Sequence, residues 1–337
     1  MTKMYKLMFM TILMMSTMFS ISAYTWLGMW VGLEINFLSI IPIIMNKIIL
    51  SSEAPIKYFI TQGLASTMIM MSIIIMMWKM NFTSTILNSE IMLIMNSGHL
   101  LKMGMARVHF WFPEVLEGLN WNNCMIMLTW QKIAPMMLYM YHMESNMFNY
   151  TIILTSMIIS SVMSFNQISM RKLMAFSSIN HMAWMMAAMK TEKSIWMLYF
   201  LIFAMITINI WLTMKIMYYL NQLFLMMNES FSTKIMFMLN FMSLKGIPPF
   251  LGFLPKWLVI QTMIEYKMMF LSIIMILFTL IMIFVYMRIS MSTLIMKTNQ
   301  INWKIYMNNK TNIMLTSMLN FFMIFSLILM TIALNEI

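Results

Sequence analysis

Apolar runs of roughly 17–25 residues, the length at which a helix crosses a bilayer, recur along this chain almost from end to end. No other feature limits the fold as strongly. Within lipid every backbone polar group has to be satisfied inside the protein, which leaves helices or a closed barrel. The short alternating strands of a barrel do not occur in the sequence, so the runs predict an all-α polytopic membrane protein. Composition agrees, since 62% of the 337 residues are hydrophobic and 9% are charged. A soluble domain carries about 25% charged residues, so a single water-soluble core is excluded.

Eleven spans are predicted, near residues 4–23, 26–46, 56–78, 86–105, 124–142, 149–166, 172–189, 194–219, 235–257, 268–288 and 313–334. The opening run, preceded by Lys3 and Lys6, also has the look of a signal peptide, but it continues straight into the next span. With eleven spans the loops alternate sides. One side holds Lys3, Lys6, Lys47, Lys57, Arg107, Arg171, Lys172, Lys234, Arg288, Lys297, Lys304 and Lys310. The other holds Lys79, Lys190, Lys193 and Lys267. Twelve basic residues against four is a positive-inside bias. It places the N-terminus inside and the C-terminus outside, and it accounts for the net charge of +11 without a nucleic-acid partner. The basic face suits anionic lipid headgroups. No soluble domain is long enough to fold alone. The chain reads as a single membrane domain, 1–337, with a first five-helix unit (1–143), a second (149–288) and a final helix (313–334).

The 56 methionines and the complete absence of aspartate bear on the gene more than on the fold. Such usage follows from AT-rich codons with AUA read as methionine, as in animal mitochondria. Most of these methionines read as lipid-facing or gap-filling side chains. The lone Cys124 excludes an internal disulfide and any multi-cysteine metal or iron–sulfur site. There is no His-x-x-x-His pair and no glycine-rich phosphate loop, so no redox centre or nucleotide is expected on this chain, and no catalytic residue in the covalent sense.

An ionisable side chain inside a span costs a few kcal/mol on insertion scales, which makes each one a functional candidate. Four stand out: Glu34, Lys102, Lys132 and Lys256. The structural alternatives are snorkelling of the lysines to the interface and a simple ion pair for Glu34. His99 and His181 are auxiliary candidates, against the ordinary alternative of a hydrogen-bonded buried histidine. Two spans combine a lysine with helix breakers. The fourth has Gly98, Gly104 and Pro113; the ninth has Gly246, Pro248, Pro249, Gly252 and Pro255. Proline removes a backbone donor, and such breaks are tolerated where the freed groups meet protein or line a cavity. Interrupted spans at matching places in two halves point to an ion pathway. Here each is the fourth of a five-span unit, and five being odd, the units would be inverted repeats. Burial disfavours a lysine's charged form, and a nearby carboxylate restores it, so buried lysines can load and release protons. Ser177, Ser178, Asn180 and His181 offer polar groups for a water chain.

Six stretches carry a resemblance: WLGMWVGLEIN (26–36), EAPIKYFITQGLAS (53–66), HFWFPEVLEGLNW (109–121), LTWQKIAP (128–135), RKLMAFSSINHMAWM (171–185) and GIPPFLGFLPKW (246–257). With them the chain resembles the NADH dehydrogenase subunit 2 family of mitochondrial respiratory complex I, in its insect-like form, and its length resembles the shortened animal form. The resemblance implies an antiporter-like, proton-translocating subunit of the inner membrane, with its N-terminus on the matrix side and its C-terminus on the intermembrane-space side. Its key groups map onto Glu34, Lys102, Lys132 and Lys256. NADH, FMN, iron–sulfur clusters and ubiquinone would belong to partner subunits. Subunits 4L and 4 would be neighbours, with accessory subunits and lipids such as cardiolipin around them. The chain departs from the family at Ala106-Arg107, where Ala-Pro is usual, and at Lys245, where a small residue is usual; Lys245 is thereby a further auxiliary position. The rival readings are a stand-alone cation/proton antiporter and a membrane spacer that moves no protons.

Overall fold

The computed structural model describes residues 2–45, 53–79, 85–143, 147–214, 231–248 and 250–295. Thirteen helices run through them: α1 (Thr2–Ser22), α2 (Trp26–Ile44), α3 (Glu53–Lys79), α4 (Thr85–Met103), α5 (Trp111–Gly118), α6 (Trp121–Leu128), α7 (Trp130–Tyr141), α8 (Met147–Met163), α9 (Met170–Thr191), α10 (Lys193–Met214), α11 (Phe231–Lys245), α12 (Phe253–Glu265) and α13 (Met269–Ile295). Among the described residues five stretches are long and apolar enough to cross a membrane by themselves: Met4–Ser22, Trp26–Ile44, Glu53–Trp78, Lys193–Leu212 and Met269–Ser292.

Two of the expected spans are divided. The fifth, 124–142, is α6 and α7, parted at Thr129; the ninth, 235–257, is α11 and the start of α12, parted by residues 246–252. The short α5 was not expected as an element. The eleventh span, 313–334, lies outside the described residues. Helix α9 is too polar to cross lipid on composition, and the reason is where it sits. Every residue from Leu173 to Met189 is buried in protein, so its serines, asparagine and histidine never face the hydrocarbon.

Serine and threonine are tolerated in these apolar helices because their hydroxyls donate to carbonyls one turn back. Ser16 bonds the Leu13 carbonyl at 2.9 Å, Ser72 that of Ile69 at 2.6 Å and Ser178 that of Ala175 at 2.7 Å. Thr25 caps α2, its hydroxyl accepting from the Gly28 amide at 3.2 Å.

The chain divides into two compact units, Met1–Ser156 and Met157–Ile337. In the first, α1 packs along α2, α3 along α4, and α7 against α4, α1 and α2. The close approach of α1 and α2 needs Gly32, because a Cβ there would meet the backbone of Ser20, the small-residue device that lets helices in lipid approach. Leu33, Ile69, Ile73, Ala134 and Leu138 form its core, flanked by Trp26, Met29 and Trp30. In the second unit α9 is the central element, packed by α10, α12 and α13, while α11 lies against α10 and α13.

Candidate functional site

Both lysine-bearing breaks are closed by the same backbone motif. At the end of α4 the Gly104 amide donates to the Leu101 carbonyl (3.1 Å) and the Met105 amide to the Leu100 carbonyl (3.1 Å). At the end of α11 the Gly246 amide donates to Ser243 (3.1 Å) and the Ile247 amide to Met242 (3.5 Å). These paired bonds make a Schellman motif, which requires a left-handed residue just past the helix; Gly104 has φ 71° and Gly246 φ 68°. The expected breakers divide accordingly. Gly104 and Gly246 end helices. Gly98 lies within α4, where a Cβ would press on Ile69. Pro113 and Pro255 break nothing. Each is the third residue of a new helix, α5 and α12, where a missing amide hydrogen is tolerated because that amide has no helical partner in any case. Pro248 lies in the link between Gly246 and Gly252, and Pro249 falls outside the described residues. At the Ala106-Arg107 departure, Arg107 is exposed with φ 74°, so the link after Gly104 turns a second time on a left-handed residue that is not glycine.

Lys102, Lys132, Lys245 and Lys256 are between 2% and 9% exposed. A snorkelling lysine would present its ammonium group at a surface; these do not. In the first unit Lys102, in the last turn of α4, and Lys132, in the first turn of α7, line one cavity of about 20 Å³ with Asn36, Tyr58, Gln62 and Gln131. That volume holds a single water. Its polar rim is organised by protein contacts. Gln131 donates from Nε2 to Asn36 Oδ1 at 2.7 Å, and Gln62 Nε2 donates to the Lys102 carbonyl at 3.3 Å. The Lys102 ammonium has no hydrogen-bond partner in the protein. Lys132 Nζ stands 5.3 Å from the centre of the Phe112 ring.

Glu34 is not part of the cavity wall. It is partly buried on α2, with Oε1 accepting a long bond from the Ser66 hydroxyl (3.5 Å) and a buried Oε2 without a protein partner. Among the described residues Glu34 makes no ion pair, with Lys102 or any other cation. On the outer face of this unit Lys57 and Glu114 join α3 to α5, Nζ to Oε2 at 2.8 Å.

In the second unit Lys256 reaches back across the break. Its Nζ donates to the Lys245 carbonyl at 2.7 Å, at the C-terminus of α11, where the helix dipole favours a cation. Its Nζ also stands 5.9 Å from the centre of the Trp184 ring. The reach is short because the two limbs of the break touch; a Cβ on Gly246 would meet the Gly252 carbonyl and one on Gly252 the Ser243 carbonyl. Lys245 turns inward, its Nζ over the Tyr286 ring at 3.0 Å from the centroid, and Tyr286 donates its hydroxyl to the Leu173 carbonyl at 3.2 Å. The Lys245 departure is thus buried and faces no outer surface. His181 has an ordinary buried partnership, Nδ1 to the Tyr199 hydroxyl at 3.0 Å with Phe203 alongside. Ser177 and Ser178 donate within α9.

Sequence reasoning missed the break at Thr129, the Gln131–Asn36 pair and Gln62. Nothing local marks the break; the available signal, for the surroundings of Gln131 alone, was Pro135, which lies inside α7 and lines the cavity. Lacking an amide hydrogen, it frees the Gln131 carbonyl four residues before it.

A helical membrane protein with glycine-closed breaks and buried lysines beside them is of the ion-translocating subunit kind. Residues 23–283 match the family model described as NADH:quinone oxidoreductase/Mrp antiporter, transmembrane. The fold is similar to a chain in the respiratory complex I of Thermus thermophilus solved with bound aureothin, with TM-score 0.83 at 17% identity over 96% of this chain and 78% of that one. It is also similar to a chain of the Mrp complex from a Dietzia species, with TM-score 0.73 at 12% identity over 82% and 58%. Curated relatives include NADH-ubiquinone oxidoreductase chain 2 of Anopheles gambiae, 44% identical over 90% of each chain, and that of Locusta migratoria, 42% identical over 88% of each. The chain belongs to the NADH-ubiquinone oxidoreductase chain 2 family.

Proposed function

We infer that the chain is a core membrane-arm subunit of the proton-translocating NADH:ubiquinone oxidoreductase, a multi-pass protein of the mitochondrial inner membrane. Beyond its family membership, the observation that carries this reading is the burial of four lysines beside helix breaks, two of them on one water-sized cavity. Lysine suits the task because it can be deprotonated inside a protein, whereas arginine stays charged.

Glu34, Lys102, Lys132 and Lys256 hold and pass the proton in this reading, with His99, His181 and Lys245 as auxiliaries. A water between Lys102 and Lys132 lets a proton move between amines that do not touch. The Gln131–Asn36 pair leaves Gln131 Oε1 and Asn36 Nδ2 free to orient that water. On the other break, Lys256 in its charged form is held by the end of α11, and a shift of either limb would remove that support. The driving reaction lies elsewhere, with NADH, FMN, iron–sulfur clusters and ubiquinone on partner subunits and none on this chain. Subunits 4L and 4 flank it, accessory subunits surround it, and cardiolipin meets its basic face. Its eleven spans form two inverted five-helix units, 1–143 and 149–288, and the final helix 313–334, with the N-terminus in the matrix and the C-terminus in the intermembrane space.

The test is a native gel of mild-detergent mitochondrial extract, stained for NADH oxidation, with the active band searched by mass spectrometry for loop peptides of this chain. Peptides in an active particle far larger than the 40.0 kDa chain are expected; their confinement to a small inactive band would overturn the reading. A Lys102→Met variant should then assemble and move fewer protons per electron. Equal loss of assembly and pumping would favour a structural spacer.

A further inference from the structure

Two histidines of the first unit stand apart from the cavity. His99 lies on α4 one turn before Lys102, is 1% exposed, and neither of its ring nitrogens has a hydrogen-bond partner in the protein. His142 closes α7 and is also buried. The two rings lie 6.3 Å apart, centroid to centroid, at 70°. Both are held from several sides. Trp26 of α2 meets His142 edge-on at 4.0 Å, and Asn96 of α4 donates from Nδ2 to the His142 carbonyl at 3.4 Å, leaving its own buried Oδ1 without a protein partner.

An imidazole kept for packing is normally bonded, as His181 is to Tyr199. Leaving a buried polar group unpaired is unfavourable, and several such atoms lie here, among them both nitrogens of His99 and Asn96 Oδ1. The ring separation is one that a single water spans with two hydrogen bonds of about 2.8 Å each.

We propose that His99 and His142 form a proton-conducting branch joining Lys102 to the C-terminal end of α7. This branch rests on the proton-translocation reading and supplies the route to a membrane face that the lysines alone lack. The Lys102 ammonium releases its proton through water to the acceptor nitrogen of His99. His99 gives up the proton on its other nitrogen through water to His142, and a ring flip or the return of a proton resets its tautomer. Imidazole suits this because it takes a proton on one nitrogen and releases one from the other. One proton enters and one leaves at each step, with no change of oxidation state. The sequence reading puts this end of α7 on the face opposite the basic loops.

The test uses the assembled complex in mitochondria whose chain carries His142→Gln or His99→Asn, which keep hydrogen-bonding capacity and carry no proton. Proton-coupled NADH oxidation should slow by roughly a hundredfold or more, the scale of a lost proton-transfer group. A His142→Ala variant should slow likewise and recover in part when imidazole is added, a rescue that a merely structural role would not show. Wild-type rates of proton-coupled NADH oxidation in both variants would overturn the branch. Lys102→Met separates the two proposals: if it too leaves proton transfer intact, the parent reading falls; if it abolishes transfer while the histidine variants do not, only the branch falls. Should the histidine variants fail to assemble, a cryo-EM map of the wild-type complex decides. A water bridging the two rings supports the branch; dry apolar packing between them overturns it.

Discussion

At Gly252 a methyl group has nowhere to go, because its Cβ would lie inside the carbonyl of Ser243. Backbone cannot swing aside as a side chain can, so Gly252→Ala should destabilise the second unit by about 1–3 kcal/mol, the usual cost of overpacking. Thermal inactivation of the detergent-extracted complex would show it. Gly63 has open space around it. There Gly63→Ala should be neutral or stabilising by about 0.5–1 kcal/mol, since it removes only the entropic cost of a helical glycine. Composition by itself scores the two glycines alike. Arg107 is the converse case, a side chain on a left-handed backbone of φ 74°. Arg107→Gly should relieve about 1 kcal/mol of strain, measured as a raised inactivation temperature. The left-handed turn there was not legible, because arginine has no preference for it. The breaks at Gly104 and Gly246 were legible, because a glycine close to a lysine inside an apolar run marks a helix end.

Among the elements, α7 repays scrutiny. Its start at Thr129 has neither glycine nor proline to announce it; the threonine hydroxyl and amide both turn back to the Met125 carbonyl, at 2.8 and 3.0 Å. Such a break is set by what packs on either side, which no local window contains. Pro135, by contrast, is plain in the sequence, and its effect is specific, freeing the Gln131 carbonyl beside the cavity. Pro135→Ala should restore a helical hydrogen bond and stabilise α7 by up to about 3 kcal/mol, while lowering proton transfer because the cavity rim loses a free acceptor. Paired inactivation and proton-per-electron measurements on one variant check both parts. A loss of stability together with activity would count against a role for the freed carbonyl at the cavity. The prolines Pro113 and Pro255 show the limit of reading breakers from composition: the same residue that ends a helix in its interior starts one in its first turn.

For the whole molecule, the lysine and arginine count settles an expected orientation. In mitochondria stripped of their outer membrane, a tag at the N-terminus should be protected from protease and one at the C-terminus cleaved; the reverse pattern would require the opposite insertion, and like behaviour of the two tags an even number of spans. The class of the molecule, helical and embedded in lipid, was determined by the sequence alone, because the hydrophobic length of a span and the demand for internal hydrogen bonding leave little choice. So were the lysines to watch, since a charge in lipid is too unfavourable to be incidental. Only the tertiary structure decided which of them share a cavity, that Glu34 stands off its wall, that Lys245 turns in upon Tyr286, and that two histidines 43 positions apart in the chain come ring to ring. These are contacts between helices distant in sequence. They depend on which faces the packing turns toward each other, and residues that meet only through packing leave no periodicity or spacing for the sequence to display.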